Sequence, residues 1–141
     1  GQFLVRLSAF VPTAASRIVA ANPGSQLFPR RELPYPYGFG DLPDSLVSET
    51  RLRDYLARPL TLYLGTSDTE RDDDLDTSPN ADLQGVSRYE RGRNAFRAAK
   101  TLAERKGWAF RWRLVEAPGV GHDHNAMFNA PACRDALFGA Q

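Results

Sequence analysis

The stretch PLTLYLG, residues 59–65, constrains the fold more than any other part of the chain. Its apolar residues run on without the polar alternation of a half-solvated strand, and a glycine closes them. A strand of this kind is buried on both faces, as strands of parallel sheets are when helices cover them. The flanking sequence reads accordingly. In QFLVRLSAF, residues 2–10, Phe3, Leu4, Leu7 and Phe10 recur at helical spacing, and Pro12 ends the run. SRIVAAN, residues 16–22, is β-leaning and closes in the turn residues NPGS. Residues 27–44 hold four prolines and four aromatics, which argues against helix. A short helix is expected from Ser48, with Leu52, Tyr55 and Leu56 on one face.

Beyond the central strand, residues 66–87 form a long acidic loop. Residues 88–106 predict a helix with Tyr89, Phe96, Ala99 and Ala103 on one stripe, stopped by Gly107. AFRWRLVEAPG, residues 109–119, predicts a third strand, and one last helix is expected over 125–138. The alternation of helix and strand defines an α/β class with a parallel sheet and flanking helices. The chain has 141 residues, enough for one domain. Three strands make a narrow sheet with an apolar open edge. The chain also begins without Met, as if inside an element, so it is expected to be part of something longer.

Both histidines of the protein lie in EAPGVGHDHNAMF, residues 116–128. In open α/β sheets, chemistry gathers at the carboxyl ends of strands. The central strand runs into Asp68 and the third into His122. A carboxylate and an imidazole on adjacent strand-end loops can hydrogen-bond. The carboxylate then fixes the imidazole tautomer and stabilises the imidazolium, as the base of an acyl transfer requires. Gly119 and Gly121 let the loop turn the ring into a cleft. Asp72, Asp73 and Asp74 are alternatives for the acid. His124 is expected to flank the last helix, and Asp123 has no evident role.

PLTLYLGTSD and WRLVEAPGVGHDHNAMF together resemble the acid loop and final histidine loop of serine α/β-hydrolases, in the branch of polyhydroxyalkanoate depolymerases and related esterases. The resemblance extends over residues 1–138 and implies the C-terminal half of that fold. It implies His122 as base, Asp68 as its orienting acid, an ester substrate, small or polymeric, and no cofactor. GQFLVRLSAF resembles the helix after the nucleophile elbow, so the serine is expected upstream of Gly1, in an N-terminal half that would be this chain's partner. Ser25 and Ser67 lack the G-x-S-x-G setting. Residues 27–58 occupy the place of a cap, and Phe28, Tyr35, Tyr37 and Phe39 are candidates to line the substrate pocket.

Other readings rest on less. His122 and His124 form an H-x-H pair, but metallohydrolase sites need further histidines and the chain has two in all. The acidic run DDDLDTSPNAD could offer oxygen ligands to Ca²⁺, without EF-hand spacing. A non-catalytic binding module is the remaining alternative. The net charge of +1 gives no general attraction to nucleic acid or anionic membranes. The basic face of the 88–106 helix is offset by the acidic loop before it. No apolar run reaches the roughly 20 residues of a membrane-spanning helix. The single cysteine, Cys133, excludes an internal disulfide and is expected to be a small buried side chain.

Overall fold

The computed structural model describes residues 1–139. Its elements are α1 (Gln2–Phe10), β1 (Ile18–Ala21), α2 (Glu49–Leu56), β2 (Leu60–Gly65), the single turn α3 (Pro79–Asp82), α4 (Arg88–Lys106), β3 (Arg113–Ala117), α5 (His124–Asn129) and α6 (Ala132–Phe138). The three strands form one sheet in the order β1-β2-β3, parallel throughout. Ile18 stands against Leu60, and Leu62 against Leu114.

β2 is buried at every position. Its period of two explains why: Leu60, Leu62 and Leu64 point to one face and Tyr63 to the other, and each face has its own apolar cluster. The first gathers Val5 and Ala9 of α1, Tyr55 and Leu56 of α2, and Ala99 and Ala103 of α4. The second gathers Val115, Ala117, Met127, Cys133 and Ala136 under α5 and α6. Helices thus cover both faces, and the chain is a three-layer α/β unit. At Gly92 a Cβ would lie 2.5 Å from a Leu64 methyl, so the glycine lets α4 lie close on the sheet.

The helix ends follow capping chemistry. The Ser48 hydroxyl accepts from Arg51 N–H at 3.1 Å and opens α2, and Ser87 accepts from Glu90 N–H at 3.3 Å and opens α4. Gly107 ends α4 with φ +66°, the left-handed cap glycine tolerates best.

Two expected elements differ. The last helix is two: Pro131 lacks an N–H and disfavours helical backbone at the residue before it, and Ala130 is extended with ψ 143°. The third strand is shorter than residues 109–119, because the chain first crosses the edge of the core. There Trp112 is buried, donates from Nε1 to Tyr55 O at 3.0 Å, and meets the Tyr55 ring edge-on at 4.9 Å.

Tyr55 is fully buried and donates its hydroxyl to Leu27 O at 3.0 Å. Burial pushes its phenol far above the ordinary value of 10.0. The folded state therefore keeps a proton that the unfolded chain releases. The stability this gives is complete below about pH 10 and falls as the pH rises further. In the intact gene product, the urea midpoint is expected to drop between pH 9 and pH 11. Tyr55→Phe should begin from a lower midpoint at pH 9 and show a shallower drop.

Candidate active site

Past Gly65 the β2–β3 ladder continues into the two strand-end loops. Thr66 N–H donates to Ala117 O at 3.1 Å, Ser67 N–H to Val120 O at 2.9 Å, and Gly119 N–H to the Thr66 hydroxyl at 2.9 Å. Gly119 takes φ +73° to make the turn. A Cβ on Gly65 would fall 2.3 Å from Val120 O, so only glycine lets the loops come this close. Asp68 is held by its own N–H to Gly65 O and by Tyr89 N–H to its carbonyl, each at 3.1 Å.

This lacing brings Asp68 and His122 together, with Nδ1 of His122 2.8 Å from Oδ2 of Asp68. The Asp68 side chain is 1% exposed and that of His122 46%. An ionised Asp68 accepts a proton-bearing Nδ1, which leaves Nε2 as the nitrogen able to take a proton. His122 lines a cleft of about 540 Å³ whose walls include Leu4, Val19, Asn22, Met127 and Phe128. Asp123 caps α5, accepting from Ala126 N–H at 2.8 Å, and His124 is the first residue of that helix. The Tyr63 hydroxyl donates to Met127 O at 2.7 Å and ties α5 to the sheet.

Asp72 and Asp74 stand elsewhere in the same loop. Arg88 holds Asp72 in a two-pronged pair at 2.7 and 2.8 Å, which keeps that carboxyl below the ordinary range and raises the guanidinium. Asp74 N–H donates to Asp72 at 3.1 Å, and its side chain reaches the cleft rim. Asp73 is exposed. Of the four acids weighed from sequence, Asp68 is the one hydrogen-bonded to the imidazole.

The four aromatics proposed as pocket lining do not reach this cleft. Phe39 is 1% exposed, packed between Phe10 and Tyr55. Phe28 packs with Leu33 and Ala95. Tyr35 lies edge-on to Phe10, and the Tyr37 hydroxyl bonds Asp76 of the acidic loop. Phe28 and Phe39 gain more by packing against the body of the fold than by facing solvent across a cleft. Among the described residues, no three His, Cys, Asp or Glu side chains gather as a metal-binding group.

Sequence reasoning missed two residues. Asn22, just past β1, accepts from Gly65 N–H at 2.8 Å and donates to Gly121 O at 3.1 Å, bridging both loops. Its φ of +38° is a conformation Asn tolerates. Its place at a strand's carboxyl end was the available signal. Arg88 looked like one of many surface cations on α4, but it is 2% exposed and its Nη1 lies 3.6 Å from Oδ1 of Asp68.

Solved structures similar to this chain include two polymer hydrolases. Poly(aspartic acid) hydrolase-1 from Sphingomonas sp. KT-1 matches at TM-score 0.81 and 35% identity, over 89% of this chain and 47% of its own. Poly(3-hydroxybutyrate) depolymerase from Bordetella parapertussis matches at TM-score 0.84 and 33% identity, over 99% of this chain and 46% of its own. The chain therefore spans slightly less than half of each. No family model matches the sequence, and no curated protein does. The chain has the fold of the C-terminal half of an α/β-hydrolase, and these structural neighbours are hydrolases of that superfamily. Within that superfamily its likeness is to the depolymerase type.

Removing Asn22 strands a buried N–H and a carbonyl. Asn22→Ala is expected to destabilise the intact gene product by about 1–3 kcal/mol in denaturant unfolding. Gly65→Ala should cost a similar amount, on the order of 1–3 kcal/mol by overpacking. It should also weaken the downfield Nδ1–H signal of His122 in proton NMR.

Proposed function

We propose that this chain supplies the acid and the base of a serine hydrolase that cuts ester bonds. The observation that carries the reading is the hydrogen bond between buried Asp68 and half-exposed His122, which lines a cleft of mixed polar and apolar walls. The polymers named for the two neighbours support it. One is joined by esters and the other by amides, and hydrolysis of either passes through attack on an acyl carbon. None of the described residues lining the cleft is a serine, threonine or cysteine. The nucleophilic serine is accordingly sought in sequence outside these 141 residues, in the half of the fold that the neighbours have and this chain does not span.

In the proposed reaction, the serine Oγ attacks the ester carbon while Nε2 of His122 takes the hydroxyl proton. Asp68 holds Nδ1–H and stabilises the imidazolium that forms. The tetrahedral intermediate collapses, the C–O bond of the ester breaks, and Nε2–H protonates the departing alkoxide. Water then attacks the acyl-enzyme, His122 takes its proton, and the serine leaves with the proton restored. The chemistry needs no cofactor. Polymeric esters are the favoured substrates, and residues 27–58 serve as an insert packed beside the site.

The test is fluorophosphonate labelling of the intact gene product, mapped by peptide mass. A single labelled serine upstream of Gly1 is expected. His122→Ala should abolish the labelling, and Asp68→Asn should lower ester turnover by about three to four orders of magnitude. Labelling that persists unchanged in His122→Ala would overturn the proposal.

A further inference from the structure

We propose that Arg88 is a positioning residue for the Asp68–His122 pair, its buried guanidinium facing the far oxygen of Asp68 while Asp72 locks it in place. The inference rests on the reading of that pair given above.

Arg88 is poorly explained as a helix residue. It is the first residue of α4, where the helix dipole disfavours a cation, and it is 2% exposed, where desolvation does too. The carboxylates around it account for its position. Asp72 takes both terminal nitrogens at 2.7 and 2.8 Å. Oδ1 of Asp68 lies 3.6 Å from Nη1, inside ion-pair range and outside hydrogen-bond range.

That division suits an acid that orients an imidazole. The guanidinium 3.6 Å from Oδ1 draws that oxygen toward itself, which aims Oδ2 of the buried carboxylate at the imidazole. A guanidinium fully engaged with Asp68 would draw off the charge that His122 needs. Here the two oxygens are divided, Oδ2 for His122 and Oδ1 for Arg88, and the direct hydrogen bonds of Arg88 go to Asp72.

The charged groups facing this cluster come from three elements. The acidic loop gives Asp72 and Asp74, which both act on Arg88 through charge. The loop after β3 gives His122, which Asp72 also senses, and Asp123 and His124 follow at the cleft. α4 gives Arg88 itself.

The experiment uses the intact gene product and two readouts: NMR titration of the His122 ring, and the pH profile of kcat/KM on a soluble ester. With Arg88→Met, His122 loses a neighbouring cation and binds its proton more tightly. Its titration and the acid limb of the profile should both move to higher pH, by about one unit. Arg88→Lys should restore most of the shift. Asp72→Asn should move both the opposite way, because the guanidinium then acts on Asp68 without its counter-ion. It remains informative if Arg88→Met does not fold. A structural role alone would lower the melting temperature and leave the titration still, and an unmoved titration in either Arg88→Met or Asp72→Asn overturns the inference. The ring titration does not depend on turnover. A moved titration in a protein whose serine never labels would therefore sustain the role of Arg88 while sinking the hydrolase reading.

Discussion

Where a side chain at position 65 would stand, there is instead the carbonyl of Val120. That close approach is the constraint on which the site depends. It lets the hydrogen-bonding pattern of β2 and β3 run on past the strands, so that backbone hydrogen bonds pin the two loops to each other. Side chains on such loops inherit a spacing set by peptide geometry. Asp68 and His122 meet because the loops that carry them are laced together at Thr66–Ala117 and Ser67–Val120.

The first turn of α4 secures the acidic loop from the other side. Arg91, fully buried, donates to the carbonyls of Gly85, Gly24 and Asp76 at 2.8 Å each, and to Asp82 at 3.1 Å. A guanidinium taken out of water needs most of its donors satisfied, and here backbone carbonyls supply most of them. Burial still pushes its proton affinity down, with Asp82 opposing. Gly24 follows β1, Asp76 belongs to the acidic loop, and Gly85 precedes α4. One side chain thus joins three segments that the sequence keeps far apart, and Arg88, one turn earlier, does the same for Asp68 and Asp72.

The layered α/β fold was legible because its signals are local and redundant. The apolar run of β2, the Ser87 and Gly107 ends of α4 and the proline-rich insert each point to one structure. The meeting of Asp68 and His122 was legible from the rule that parallel strands place their following loops side by side. Pro131 was visible too, but its effect was outweighed by the helical spacing around it. The aromatics of the insert show a different limit. Phe28 and Phe39 carry the same apolar signal whether they line a cleft or cover a core, and periodicity is absent from a segment with four prolines. Asn22 and Arg88 were hidden because nothing in their residue types set them apart. Asn22 stands among turn residues at the end of β1, and Arg88 is one of several basic residues on α4.

Asn22 also bears on what would be needed to move this acid–base pair into another protein. The pair could not be transplanted as two side chains. Asp68 and His122 placed on any other parallel sheet would sit at whatever separation its loops allowed. The portable unit is larger. It comprises a glycine at the end of the middle strand, an asparagine at the end of its neighbour whose side-chain amide bridges both loops, and the peptide links from Thr66 to Ala117 and from Ser67 to Val120. Grafted together, these carry the geometry with them, whatever sequence surrounds them.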